Sequence, residues 1–374
     1  MSIYERYGLQ RVINASGRMT ILGVSTISKE VGEAMVEGAS NYVVVEDLQR
    51  EAGKRIAELS GAEGALVVGS ASAGIAMACA SLVAGDNREY IEKLHKYAGK
   101  MNRKIILPRG HNVNYGTSIE GMIALGGCQT VEAGSVNECY PYHIEALIDS
   151  DTAALMYVKS HHCVQKNHLS IEELKEIAER YNLPLIIDAA AEEDIKRYVN
   201  LGDIVIFSGA KAIEGPTSGV VLGKNEYMDD IGLQQYGIGR AMKIGKEGIL
   251  GFLVAFERYM ESDKEIQNRK EIEGFCGRLS LIEGVEAVVE QDEAGREIYR
   301  GCIRIEETLT GKSAVQVASE LKSGDEAVFT RDYKKNQGMF HIDPRPLGTG
   351  ELELIEKKIK KIIGQYKHIR RKQC

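Results

Sequence analysis

The stretch "PLIIDAAAEEDIKRYVNLGDIVIFSGAKAIEGPTSG" (184–219) decides the fold. It holds two apolar runs, "PLIIDAA" and "DIVIFSG", separated by the short helical pattern "EEDIKRYVNL". Neither run alternates apolar with polar residues, which suits a sheet covered on both faces. Strand, helix and strand in succession imply parallel pairing. Each run ends on a chemically unusual residue: Asp188 closes the first, and Lys211 follows the second among small residues.

Working outward, the same alternation runs from residue 25 to about 265. "ALVVGS" (65–70) reads as a strand ending at a glycine, followed by the small-residue helix "ASAGIAMACASLVAG". "RKIILPRG", "QTVEAG", "AALMYVKS" and "GVVLGK" read as further strands. "SIEELKEIAERYN" (170–182) opens with the capping-box pair Ser170 and Glu173. Its apolar positions Ile171, Leu174, Ile177, Ala178 and Tyr181 share one helical face. After Tyr236 a long, nearly all-helical segment leads into a smaller α/β pattern, closed by "ELELIEKKIKKIIGQYK" and the basic end "KHIRRKQC", read as a solvated tail. The predicted organisation is an N-terminal segment (1–25), a large α/β domain (26–255), and a connecting helix with a small C-terminal domain (256–374).

The 374 residues carry a formal net charge of −7, which gives no global field for holding nucleic acid. Seven scattered cysteines, an odd number without a C-x-x-C, read as free thiols in a reducing compartment. The N-terminus lacks a signal-peptide layout, and no apolar run is long enough to span a bilayer. These features predict a cytoplasmic protein with no membrane or nucleic-acid partner.

Ligands of open parallel sheets collect at the carboxyl ends of the strands. Three strand ends carry chemistry here. "VVGSASAG" places Ser70, Ala71 and Ser72 at a strand-to-helix turn, where backbone N–H groups and the helix dipole favour an anion. Such a turn can equally be a packing device. Asp188 could cap a helix or act as a buried acid. Lys211 could be a snorkelling surface residue or a covalent anchor. Together the three describe a pyridoxal phosphate site. That cofactor takes a lysine as its Schiff-base anchor, an acid against its pyridine nitrogen, and a cup of donors for its phosphate. Ser208, three residues before Lys211, is placed for a further phosphate contact.

"VINASG", "GSASAG", "LIIDAAAEED", "SGAKAIEGPTSG", "GRAMKIGKEGILGFLVAFERY" and "IDPRPLGTGE" resemble the fold-type-I pyridoxal phosphate enzymes of the selenocysteine synthase-like group, and within it the D-glucosaminate-6-phosphate ammonia-lyase branch. The resemblance runs along nearly the whole chain. It implies an α/β, aspartate-aminotransferase-like large domain with a mainly parallel sheet, plus a small C-terminal α/β domain. It also implies covalent attachment at Lys211, a ring-nitrogen contact from Asp188, and phosphate contacts from Ser70, Ala71, Ser72 and Ser208. A homodimer or a larger ring of dimers would follow, with a phosphorylated amino acid or sugar acid as substrate. The implied reaction is α,β-elimination from a 2-amino-3-hydroxy sugar acid phosphate. Selenium or sulfur transfer, aldol cleavage and racemisation are alternatives on the same scaffold. Two features run against a tRNA substrate: the acidic composition, and a start close to "INASG" that leaves no room for the bacterial synthase's N-terminal domain.

The remaining candidates surround this core. His111 in "LPRGHNVNYG" could stack on the cofactor ring or merely cap a loop. In "KSHHCVQKNH" (159–168), Ser160 or His161 is expected to face the cofactor. His161, His162, Cys163 and His168 do not have ligand spacing, so no metal is predicted. Arg240, Lys243 and Lys246 recur at intervals of three, one face of a helix that is either solvated or an anion-capturing surface. Arg345, held between Pro344 and Pro346, could clamp a substrate carboxylate.

Overall fold

The computed structural model of the chain describes residues 2–101, 103–160, 162–262, 267–292, 297–324 and 326–373. The chain divides into two compact units, Thr26–Ser262 and the pairing of Met1–Ser25 with Asp263–Cys374. The N-terminal segment thus belongs with the C-terminal residues, through strand β1 (Val12–Ala15).

The larger unit carries strands β2 (Gly64–Val68), β3 (Lys104–Pro108), β4 (Gln129–Ala133), β5 (Thr152–Val158), β6 (Leu185–Asp188), β7 (Ile204–Ser208) and β8 (Gly219–Gly223). They form one sheet in the order β2-β8-β7-β6-β5-β3-β4. β4, β3, β5, β6 and β7 are parallel, whereas β8 runs antiparallel to both neighbours. Two antiparallel steps bring β2 back into the direction of β7, so six strands deliver their C-terminal ends to one edge.

The unalternating apolar runs arise because both faces of the sheet are buried. Leu155 and Tyr157 of β5 enter one core, together with Ile187, Phe207 and Leu222. Ala154, Met156 and Val158 enter the opposite core, with Ile186, Ile206 and Val221. Each fully buried aliphatic side chain contributes roughly 1.5–3 kcal/mol against exposure, so this double layer makes the sheet a rigid frame.

The helix Ile171–Tyr181 forms as its pattern predicts. Ser170 Oγ accepts from Glu173 N–H at 3.1 Å, and Glu173 Oε2 accepts from Ser170 N–H at 2.7 Å. Ile171, Leu174, Ile177 and Ala178 are buried, but Tyr181 is exposed, because the chain leaves the helix at the left-handed Asn182.

In the smaller unit, β1 pairs in parallel with β11 (Ala327–Thr330). An antiparallel sheet is ordered β12-β10-β9, from β9 (Val285–Gln291), β10 (Tyr299–Ile305) and β12 (Met339–Ile342). The expected connecting helix is observed as two pieces: Lys246–Glu261 lies in the larger unit, ended by extended backbone at Ser262, and Gln267–Leu279 lies in the smaller. The stretch read as a solvated tail continues the helix Glu351–Gln373.

Candidate active site

The sheet edge carries the site. In the strand register Val68 faces Gly219, and Gly219 faces Ser208 on its other side. Further along, Asp188 stands between Ile206 and Val158. Gly69 and Ser70 follow β2, Arg109–His111 follow β3, Ser160 follows β5, and Lys211 follows β7. The rigid frame therefore brings four loops with sequence-predicted residues, and the end of β6 with Asp188, to the same edge.

Ser70 caps the helix Ala71–Ala84, its Oγ accepting from Ala73 N–H at 3.0 Å. Gly74 N–H donates back to the Ser70 carbonyl at 3.0 Å. The amides of Ala71 and Ser72, in the first turn, have no carbonyl four residues earlier to receive them. They offer two N–H donors at the positive end of a fourteen-residue helix. Gly219 backs this turn, since a Cβ there would stand 2.5 Å from the Ser70 carbonyl carbon. Ser72 Oγ lies 3.2 Å from the hydroxyl of Tyr115.

Asp188 is not a helix cap. That position belongs to Asp194, whose side chain accepts from Arg197 N–H at 3.1 Å. Asp188 is buried, and its Oδ1 accepts from Ala190 N–H at 3.0 Å. Burial pushes its carboxyl above the ordinary aspartate range, opposed first by the charge of Lys211 and then by the Ala190 hydrogen bond. A desolvated carboxylate with a nearby cation is a group poised to receive a charged N–H.

Lys211 sits in a closed loop. Gly209 N–H donates to Ser218 O at 2.9 Å, and Gly215 N–H donates to Gly209 O at 2.8 Å. A side chain at Gly209 would collide with Ser218 Oγ at 2.0 Å and with the Phe252 ring at 2.7 Å. Ala210, Ala212 and Ile213 are buried on either side of the lysine, while Glu214 adopts a left-handed φ of 56°. Buried neighbours and ring-closing hydrogen bonds hold Lys211 at the strand end, where an unconstrained lysine would drift to solvent.

His111 is wholly buried. Its Nδ1 accepts from Val158 N–H at 3.5 Å, and its Nε2 has no partner among the described residues. It stacks on His168 at 5.4 Å and meets Tyr157 edge-on at 4.5 Å. Burial, then the charges of His168 and Lys159, push its pKa down to about 3. The ring is neutral at physiological pH. Ser160 Oγ accepts from His162 N–H at 3.2 Å, beside Lys159, whose N–H donates to the Asp188 carbonyl at 2.8 Å. His161 lies outside the described residues.

The basic stretch differs from its predicted single helical face. Arg240 lies in the 3-10 turn Ile238–Met242, Lys243 is extended, and a separate helix starts at Lys246 after Gly245. Glycine at 245 breaks the helical run, so the interval of three does not align the cations. Lys246 donates to the carbonyls of Gly38 and Ala39, closing the end of the helix Lys29–Ser40. Lys243 stays near the site, because the Met242 carbonyl would lie 2.4 Å from a Cβ on Gly69. Arg345 belongs to the smaller unit, where its Nε and a terminal nitrogen reach Asp343 at 3.0 and 2.7 Å. Tyr115 escaped the sequence reading. It is joined to Ser72 and senses the charge of Asp188, but it comes from an irregular loop with no pattern to mark it.

Pyridoxal phosphate fits this set of residues. The helix start supplies anion donors backed by a glycine, the edge supplies a buried acid, and a fixed loop supplies an amine. The unpartnered Nε2 of His111 adds a polar group beside them.

The chain matches the family described as L-seryl-tRNA selenium transferase over residues 12–284. It is 41% identical over 362 residues to the D-glucosaminate-6-phosphate ammonia lyase of Salmonella typhimurium, covering 96% of this chain and 98% of the relative. It is 35% identical to a 5'-C-glycyluridine monooxygenase-decarboxylase of a Streptomyces species, covering 96% of this chain and 92% of that one. A solved structure of D-glucosaminate-6-phosphate ammonia-lyase superposes with a TM-score of 0.91 at 40% identity, over 98% of this chain and 99% of the other. The architecture is that of the fold-type-I pyridoxal phosphate enzymes.

Proposed function

Because the chain belongs to the L-seryl-tRNA selenium transferase family, we propose that it is a pyridoxal phosphate-dependent ammonia-lyase. Its substrate would be D-glucosaminate 6-phosphate, and its products 2-keto-3-deoxygluconate 6-phosphate and ammonia. The observation that carries this reading is the 41% identity to an ammonia lyase of that substrate along 96% of the chain. The edge that gathers Asp188, Lys211 and the Ser70–Ser72 turn supports it.

Bound here, the cofactor supplies an electron-poor ring that draws charge from the substrate's Cα. Lys211 would anchor it through the side-chain nitrogen and, once released, take the proton from Cα. The Asp188 carboxylate would accept from the ring N–H and keep that nitrogen protonated. The amides of Ala71 and Ser72 and the hydroxyls of Ser70, Ser72 and Ser208 would hold the phosphate. Ser160, His161 and His111 would border the ring, with His111 as a neutral donor or acceptor. Arg240 and Lys243 would face the anionic end of the substrate. The water lost with the β-hydroxyl is regained on hydrolysis, so ammonia is the net loss. We place the protein in the cytoplasm as a homodimer or a ring of dimers. Among the described residues no helix is long and apolar enough to cross a membrane.

The 35% identity to a monooxygenase-decarboxylase favours a second reading, another reaction on the same site. The deciding experiment gives the cofactor-loaded protein D-glucosaminate 6-phosphate, the unphosphorylated sugar acid and D-serine, and measures ammonia and 2-keto acid. Release from the phosphorylated sugar acid alone is expected. Silence on all three, with the cofactor spectrum intact, would discard the substrate and leave the cofactor assignment standing.

A further inference from the structure

The outer face of the small antiparallel sheet brings together three side chains that the reaction does not use. Cys302 of β10 pairs with His341 of β12 on one side and with Val288 of β9 on the other. Glu290 lies two residues beyond Val288, and therefore on the same face. His341 Nε2 is 3.0 Å from Glu290 Oε2, and one ligand atom from each of Glu290, Cys302 and His341 lies within 4.8 Å of the others. The Met339 sulfur is 3.9 Å from Cys302 Sγ. Cys302 is completely buried and the His341 side chain is 12% exposed, whereas Glu290 is open to solvent on one side.

We infer that Glu290, Cys302 and His341 form a binding site for a borderline-soft divalent cation, with zinc the best match. A thiolate, an imidazole and a carboxylate converging from three strands are the donor types zinc prefers. A tetrahedral zinc holds such atoms roughly 3.3–3.7 Å apart, within reach of small side-chain rotations here. Met339 or a water completes the fourth position.

Loading exchanges the Cys302 thiol proton for the ion. Binding replaces the S–H bond with a sulfur–metal bond and releases the proton to solvent. Arg304, 3.7 Å from Glu290, must turn outward, and Lys334 and Arg331 are the other cations acting on His341. A bound ion would tie β9, β10 and β12 together through side chains as well as the backbone ladder.

The test titrates the full-length, cofactor-loaded protein, first stripped with a chelator, with cobalt(II) and then zinc(II). One equivalent of cobalt should give a thiolate-to-cobalt charge-transfer band and visible bands of tetrahedral intensity, both bleached by zinc. C302S and C302A should each lose the charge-transfer band, and H341N should weaken cobalt binding at least tenfold. Retention of the cofactor spectrum in each variant shows that the protein is folded. Absence of the band in the unaltered protein, or its survival in both Cys302 variants, would overturn the assignment.

Discussion

A Cβ built on Gly219 would stand 2.5 Å from the carbonyl carbon of Ser70 and 2.6 Å from the amide nitrogen of Ala71. The first residue of the antiparallel strand is thus the floor on which the anion-binding turn rests. G219A must displace that turn, at a cost of about 1–3 kcal/mol for overpacking. We expect cofactor affinity at least tenfold weaker by spectroscopic titration. G232A, in a helix position with nothing within 4 Å, is the control that should leave affinity unchanged. Equal affinity in the two variants would remove the Ser70–Ser72 turn from the phosphate site.

K211A keeps the buried alanines and the loop-closing hydrogen bonds of residues 209–218, since none of those bonds uses the lysine side chain. The loop should fold as before. The visible absorption of the bound cofactor and the turnover should disappear together. A K211A protein that retained both would show that the anchor lies elsewhere.

Asp188 ties function against stability. Its carboxyl is raised by burial, so its favourable contribution is present below the unfolded value of about 3.9 and is lost as pH rises through the folded value. At neutral pH the cofactor-free protein therefore bears the cost of burying that acid, whether as a charge or by taking up a proton. D188N should therefore melt higher than the unaltered cofactor-free protein at pH 7–8, by about 2–4 °C per kcal/mol relieved. The gain should vanish below about pH 4, where the acid is neutral. Turnover of the loaded variant should fall at least about a hundredfold through loss of the ring-nitrogen partner. Near-normal turnover would remove Asp188 from that role.

Tyr115 and Ser72 share a hydrogen bond at the helix start. Y115F removes one bond worth about 1 kcal/mol, so cofactor affinity should drop several-fold with little change in melting temperature. No change in affinity would make the contact incidental.

Those residues differ in how visibly the sequence announces them, and the reason is local. Asp188 and Lys211 stand out because each interrupts or follows an unbroken apolar run, and the run itself reflects a strand buried on both faces. The capping box at Ser170 and Glu173 is legible because both partners lie within one turn. Tyr115 is not legible: its partner Ser72 is 43 residues away and only the folded sheet brings them together. Glu290, Cys302 and His341 likewise come from three strands, and no spacing rule links them. Lys246 misleads for the opposite reason. The interval of three assumes a continuous helix, and Gly245 interrupts it.

The smaller unit offers the sharpest pH test. Asp343 is fully buried and accepts from Arg300 Nε at 2.9 Å and from both Nε and a terminal nitrogen of Arg345 at 3.0 and 2.7 Å. Burial alone would raise its carboxyl, but the hydrogen bonds and charges of Arg345 and Arg300 hold it well below the usual range. A depressed carboxyl contributes stability that is present above the unfolded value of about 3.9 and is lost as pH falls through the folded value. The same acid leaves no room at Gly17, where a Cβ would meet Asp343 Oδ2 at 2.8 Å. D343N strips the charge from between two arginines and should cost about 3–5 kcal/mol, the range for breaking a buried pair from one side. Denaturant unfolding followed from pH 8 to pH 3 should show that deficit at full size above about pH 5 and shrinking below about pH 4, as the unaltered protein loses the same interaction. A deficit independent of pH would mean that the D343N side chain fails by shape, and that the charge of Asp343 contributes nothing.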